Sequence, residues 1–239
     1  MLRSLGQRDE AERAAREAIR LGPEEVGVYE TLWKIAAVAG GRNAMDALEH
    51  YILRLDPTHE FALSQQTAKA AKAPGTKASE AAALYADALA AVPGSTSLSH
   101  GLDRATYRLL RGTRRLALLC LALAGAMADL LAVEGEVQKA LPMPLGTRLR
   151  SLVPMTAIWA FGARRRYRTL RTGVRLNLSS LVRRGFWARI VLGQAAWAIL
   201  CALVITQLPW TQRPVPQVLF WAGMSPTADT IWFDQAKTK

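Results

Sequence analysis

The sequence predicts an all-α protein in which a short helical solenoid precedes a bundle of three transmembrane helices. Three observations support this fold class. Residues 1–98 repeat an apolar pattern with helical spacing, and the later part of the chain holds long apolar runs with few charges. Arginines cluster between those runs, which is typical of segments that flank membrane-crossing helices.

The net charge of +12 is distributed unevenly along the chain. Residues 1–100 carry 13 acidic and 11 basic side chains, whereas residues 101–239 carry 6 and 20. The basic excess therefore lies with the apolar runs. Because these arginines punctuate apolar segments, they indicate membrane topology rather than the basic folded surface of a nucleic-acid-binding protein. We expect no nucleic-acid partner.

Three prolines mark the ends of predicted helix pairs. Pro23, Pro57 and Pro93 lie 34 and 36 residues apart, and each follows a segment with apolar residues at helical spacing. Proline cannot continue a helical hydrogen-bond ladder, so it is typical of positions just past a helix end. Between the prolines there is room for two helices, with Gly40-Gly41 and Pro74-Gly75 as the turns.

The period, the closing prolines and the small-aromatic-small pattern of Ala81, Tyr85 and Ala88 resemble the tetratricopeptide repeat (TPR) family. The resemblance covers residues 1–98, about two and a half units, and the whole chain is similar to actinobacterial proteins that join such repeats to transmembrane helices. It implies a solenoid whose groove binds a protein partner. Trp33 departs from the pattern, since the family usually has a glycine there, and it could instead fill the core between helices. The candidate groove residues are Tyr29, Trp33, Lys34 and Tyr51.

Residues 99–115 are predicted to form a helix that caps the last repeat. A repeat buries its apolar face only against its neighbours, so the last one requires a cap. Leu102, Ala105 and Leu109 have the near-helical spacing that such a cap needs. The segment continues into an apolar run at Leu116, which predicts one helix that is continuous with the first span.

Within residues 116–208, three segments are predicted to cross the membrane: 116–133, 149–163 and 190–208. At about 1.5 Å per residue, the first and third nearly cover a hydrocarbon core of roughly 30 Å. The second is shorter, but only its crossing puts the nine arginines of loop 164–189 on the same side as the arginines before the first span. This predicts a multi-pass protein of the bacterial plasma membrane, with the N-terminus in the cytoplasm and the C-terminus outside.

The remaining residues, 209–239, are predicted to form an extracytoplasmic or interfacial tail. Pro214, Pro216 and Pro226 interrupt its apolar stretch, and aromatic side chains such as Trp221 are typical of a membrane interface.

Two charged features are candidate membrane sites. Arg164, Arg168, Arg171 and Arg175 follow the spacing of one helical face, which predicts an interfacial helix that faces anionic lipid. The alternative is a loop that only sets topology. Asp129 is the ionisable residue within the first span, and we predict that it pairs with Arg148 or Arg150 at the start of the second. The alternative is a hydrated carboxylate near the interface.

No catalytic motif is visible in the sequence. His50, His59 and His100 have no metal-binding spacing, and Cys120 and Cys201 lie inside apolar runs as small fillers. Phosphate-binding and nucleophile-elbow motifs do not occur. We therefore predict that the protein is not an enzyme and binds no metal or cofactor.

The predicted function is a membrane-anchored scaffold whose repeats recruit a cytoplasmic protein partner to the plasma membrane. An alternative is an accessory or structural subunit of a larger membrane complex, such as a transporter or envelope machinery, held through its transmembrane helices. A third possibility is a lipid sensor that acts through the arginine-rich segment.

Overall fold

The structure is a computed structural model that describes residues 2–130, 144–168 and 170–236, and the described residues fold into helices without a strand. The predicted all-α class is thus confirmed. The chain divides into two compact units, Met1–Leu102 and Asp103–Lys239. In chain order the helices are α1 (Leu2–Leu21), α2 (Val26–Val38), α3 (Arg42–Leu55), α4 (Glu60–Lys72), α5 (Ala78–Ala91), α6 (Thr96–Met127), α7 (Leu145–Tyr167), α8 (Thr172–Arg184), α9 (Phe186–Gln207) and α10 (Pro214–Ala236).

The first unit consists of helices that pack against their neighbours in sequence. Helices α1, α3 and α5 each end two residues before a proline, at Pro23, Pro57 and Pro93. The other turns contain Gly40 and Gly75, whose φ angles of 72° and 86° lie in the left-handed region that glycine adopts without a steric penalty. The prolines and glycines therefore fix where each helix stops.

The core of the first unit combines a few large side chains with alanines. Tyr29 of α2, Ile52 of α3 and Ala62 of α4 are buried together, with Leu48 and Tyr51 packed against them. Each neighbouring pair of helices thus shares one apolar seam, which is how short helices gain stability that they lack in isolation.

The second unit is packed around α9. Its small inward side chains, among them Cys201 and Ala202, form a core with Cys120 of α6 and Phe220 of α10. Glycine permits the closest approaches: a side chain at Gly223 would lie 3.0 Å from the Cys201 Cβ. The bundle therefore depends on small residues at its helix contacts.

The prediction of three membrane-crossing helices is not met. Among the described residues, one helix, Phe186–Gln207, is long and apolar enough to cross a membrane. Helix α6 ends at Met127 and places five arginines before its apolar part, and residues 131–133 of the predicted first span lie outside the described residues. Helix α7 contains residues 149–163, but Arg148 and Arg150 precede its apolar stretch and Pro154 interrupts it.

Most of the C-terminal segment forms a long helix, and its predicted extracytoplasmic or interfacial position stays a prediction. Helix α10 packs along α9, and Phe220 is buried against Gly125 of α6, where a side chain would lie 2.6 Å from the phenyl ring. Proline does not prevent this helix, because Pro214 and Pro216 occupy its first turn, where the missing N–H costs nothing.

The four arginines predicted to share one helical face do not lie on one helix. Arg164 lies near the end of α7, Arg168 is its C-cap, Arg171 is the N-cap of α8, and Arg175 is in the first turn of α8. Arg175 donates to the main-chain oxygens of Tyr167 and Arg168, at 3.4 and 3.2 Å. The arginine spacing failed as a predictor because α7 ends between Arg164 and Arg175. The Arg175 side chain bonds the main-chain oxygens at that helix end.

Candidate functional site

The predicted groove residues of the first unit lie mostly between helices. The Tyr29 ring lies 4.5 Å from the Tyr51 ring, centroid to centroid, and the Tyr29 hydroxyl donates to the main-chain oxygen of Pro23 at 2.8 Å. Tyr29 is buried, whereas Lys34 is exposed and forms an ion pair with Glu30 at 3.7 Å. The structure thus brings Tyr29 and Tyr51 together and places Lys34 on the surface.

Trp33 belongs to a polar network that joins three helices. Its indole Nε1 donates to Glu49 Oε1 at 2.7 Å, and its ring meets Phe61 edge-on with centroids 4.7 Å apart. Glu49 is only 1% exposed, and the Lys69 ammonium donates to both of its carboxylate oxygens, at 2.8 and 2.7 Å. Trp33 therefore fills the core between helices, which is the second of the two interpretations that the sequence allowed. Glu49 and Lys69 were not predicted from the sequence.

Lys69 also binds Asp46, and the pKa values of these two residues are shifted. Burial alone would lower the pKa of Lys69, but its hydrogen bonds to Asp46 and Glu49 raise that pKa on balance. The hydrogen bond from Lys69 lowers the pKa of Asp46. Both shifts favour the charged forms of Lys69 and Asp46, and the Lys69 ammonium is the hydrogen-bond partner of the buried Glu49 side chain.

A groove lies open on the other side of α2. It has a volume of about 430 Å³, and its floor is formed by small side chains of α1 with Gly27 and Val28 of α2. Glu25 lies at its edge. The full set of lining residues is Ala11, Ala14, Ala15, Ala18, Glu25, Gly27, Val28 and Thr31.

Helix α9 buries its small side chains together with Val191 and Ile205, and it exposes several other large ones. Ala188, Ala195 and Ala198 face the core of the second unit. Only 39% of the most apolar 18-residue window of α9 is buried, so much of its outer face is exposed. Among the described side chains, the exposed large apolar ones of α9 and α10 are Phe186, Trp187, Trp197, Leu200, Leu203, Val215, Val218 and Trp221.

A proline in α10 is matched by a donor from α9. Pro226 has no N–H, so the Ala222 carbonyl four residues earlier lacks its usual helical donor. The Trp197 indole Nε1 donates to that Ala222 oxygen at 3.1 Å, and Gln194 Nε2 donates to the Pro226 oxygen at the same distance. The two helices are thereby joined by polar bonds as well as by small-residue packing.

The structure does not bring together the predicted pair of Asp129 with Arg148 or Arg150. Asp129 has a φ of 55° just past the end of α6, and its main-chain oxygen accepts a bond from Arg213 at 3.5 Å. Arg148 instead donates to the main-chain oxygen of Gln207 at 2.9 Å, and the Gln207 amide donates back to the Arg148 oxygen at 3.0 Å. Arg148 therefore links α7 to the end of α9.

The part of the chain that the structure describes contains no group of three or more His, Cys, Asp or Glu able to hold a metal ion. Comparison of the chain with protein-family models, with curated proteins and with solved structures finds no match in any of the three. The resemblance to the TPR family therefore rests on the repeat residues alone.

Proposed function

We propose that this protein is a membrane-anchored scaffold: the second unit is embedded in a plasma membrane through α9, and the first unit is a TPR-like solenoid that binds a cytoplasmic protein partner. The observation that carries the proposal is the apolar outer face of α9, where Trp197, Leu200 and Leu203 are exposed.

This exposed face supports a lipid environment because exposure of large apolar side chains to water is unfavourable. Leu200 is 51% exposed, while Ala198 on the opposite face is fully buried. A contiguous exposed apolar surface of this kind is rare on a soluble monomer. Trp187 at the start of α9 and Trp210 just after its end lie where indole rings suit the two membrane interfaces.

Protein binding is proposed for the first unit because its helices follow one another as neighbouring pairs and expose a formed groove. The fold of the chain does not by itself define which partner the first unit binds. The groove between α1 and α2 supplies the specific surface, and the basic residues that follow the repeats favour the cytoplasmic side for this unit.

Membrane embedding is tested by carbonate extraction and by size-exclusion chromatography. We expect the chain to remain in the membrane pellet and to need detergent for monodispersity. A chain that is monodisperse in detergent-free buffer would overturn the proposal. As a matched pair, Leu200→Arg should reduce membrane insertion and Gln207→Arg, at the helix end, should reduce it less, since the cost of a charge is greatest at the bilayer centre.

Partner recruitment is tested by quantitative co-purification in detergent. The full chain is compared with a variant lacking residues 1–95, which leaves α6 whole because α6 begins at Thr96. A scaffold loses its partner on this deletion. Retention of all partners would instead favour the second candidate, an accessory subunit of a membrane complex, which the small-residue packing of α9 and α10 supports.

A further inference from the structure

The groove between α1 and α2 has a filled counterpart one repeat later in the chain. Pro23 and Pro57 place the two pairs 34 residues apart, so Ala15, Ala18 and Gly27 correspond to Glu49, Ile52 and Phe61. In the later pair, α3 and α4 form the groove and α2 fills it.

Two side chains of α2 fill the groove between α3 and α4. Tyr29 packs with Ile52 and Ala62, and Trp33 lies against Glu49 and Phe61. These two large residues are four positions apart on α2, so both project from one helical face. The groove of the first pair lies at the corresponding positions of α1 and α2, has smaller lining side chains, and is open.

Differences between the two grooves define what the open one would accept. Glu25 of the open groove corresponds to His59 of the filled one. The Nε2 atom of His59 lies 3.1 Å from Oε1 of Glu30, and Glu30 directly follows Tyr29 on α2. An acidic residue at the groove edge favours a basic residue at that place on the incoming helix.

A second difference concerns the indole of Trp33. That N–H is accepted by Glu49, but the corresponding residue in the open groove is Ala15, which has no side-chain acceptor. A tryptophan in this place would leave a buried donor without its partner, which is costly. A purely apolar side chain is therefore favoured there.

We propose that the α1–α2 groove is the docking site for an amphipathic helix of the partner protein. This helix carries a large apolar residue, a lysine or arginine at the next position, and a leucine, phenylalanine or methionine four positions after the first. The inference rests on the proposed scaffold function and names the chemistry of its partner.

The test uses the full chain in nanodiscs and a fluorescein-labelled, alanine-based helical peptide with Phe, Lys and Leu at those three positions. Fluorescence anisotropy measures the dissociation constant, and empty nanodiscs supply the blank. Ala14→Trp, which fills the groove, should weaken binding at least about tenfold, the scale of an interface anchor. Arg16→Trp, on the same helix but away from the groove lining, is the matched control and should leave binding nearly unchanged.

Charge recognition is tested by reversing both partners. Glu25→Lys should weaken binding of the lysine peptide about two- to fivefold, and a peptide with Glu in place of Lys should regain that factor on the variant. Glu24→Lys, which lies beside the groove but does not line it, is the control. Replacing the peptide leucine with tryptophan should weaken binding about fivefold.

Equal binding by the wild type and Ala14→Trp, or no binding above the blank, would overturn the assignment. Dimerisation of the chain that Ala14→Trp abolishes would also overturn it, with a second copy as the occupant. Partner capture that survives Ala14→Trp but not deletion of residues 1–95 removes this inference and leaves the scaffold function standing. Capture that survives both changes removes the scaffold function itself.

Discussion

The two units of this chain differ in what their helices expose more than in what they bury. The first unit buries Tyr29 and Ile52 among alanines such as Ala82, and its surface carries ion pairs such as Glu17–Arg20. The second unit also buries large and small side chains together, but the outer face of α9 exposes large apolar ones such as Leu200. Under the proposed function that face contacts lipid, whereas in water its exposure would be unfavourable.

Arginine is used differently in the two units as well. In the first unit Arg16 and Arg20 pair with glutamates on the same helix. In the second, Arg148 and Arg189 donate to main-chain oxygens at helix ends, with Arg189 Nε 3.1 Å from the Val182 oxygen. Carbonyl oxygens at a helix C-terminus carry partial negative charge, so an arginine is well matched to them.

The largest effect that would sharpen the comparison is expected from shortening a buried side chain of the first unit. Ile52 is fully buried, so Ile52→Ala should lower the free energy of unfolding of that unit by about 2–5 kcal/mol. Leu200→Ala, on the outer face of α9, should change the stability in detergent by less than about 0.5 kcal/mol. Hydrogen exchange of peptides from α3 and α9 measures both. Equal losses at the two sites would break the proposed contrast.

The reverse substitution should damage the second unit. Ala198 is fully buried on the inner face of α9, so Ala198→Leu should destabilise the bundle by about 1–3 kcal/mol through overpacking. Thermal unfolding in detergent measures this effect. Leu203→Ala on the outer face serves as the control, and a neutral result for Ala198→Leu would show that the inner face is not tightly packed.

We expect alkaline pH to affect the stability of the two units differently. The hydrogen bond with Tyr51 and burial raise the pKa of Tyr29 to about 12. Since the ordinary value is about 10, the contribution of the neutral phenol to stability is complete below that pH and is lost as the pH rises through about 12. We expect hydrogen exchange in α2 to accelerate over this range, and to accelerate less in Tyr29→Phe.

The raised pKa of Lys69 adds a loss in the same direction, and the Tyr29→Phe variant leaves that loss in place. An unchanged alkaline response in Tyr29→Phe would therefore assign the whole effect to other groups. Ultraviolet absorbance of tyrosinate provides an independent titration of the same side chain.

The smallest effect is expected at the junction of α9 and α10. Trp197→Phe removes the donor to the Ala222 oxygen and should cost about 1 kcal/mol of stability in detergent. Pro226→Ala restores a helical N–H four residues after Ala222, so in that background the cost of Trp197→Phe should shrink. Equal costs in both backgrounds would show that the indole does not compensate for the proline.

The repeat boundaries could be predicted because they depend on backbone chemistry. Pro57 and Gly75 restrict or permit particular φ values wherever they occur, so a turn follows from the residue itself. The network at Glu49 could not be predicted in this way. Its partners Trp33 and Lys69 are 16 and 20 residues away, and the helical pattern does not state which side chains meet across helices.

The arginine series and the C-terminal segment show where pattern reasoning fails. Arg164 and Arg175 keep helical spacing in the sequence, yet a helix end lies between them. Pro226 suggested an interruption, but a tryptophan from α9 supplies the bond that the proline lacks. In both cases a side chain from another helix bonds main-chain oxygens, of Tyr167 and Arg168 in the first case and of Ala222 in the second. Local periodicity does not show which side chains make such bonds.

By itself, the sequence determined the all-α class, the helix ends beside Pro23, Pro57 and Pro93, and the apolar character of residues 190–208, because each follows from local conformational preference or composition. Only the tertiary structure decided which face of α9 is buried, that α10 packs against it, and that the α1–α2 groove is open. Those features depend on which helices are neighbours in space, and packing between distant segments is a property of the folded chain.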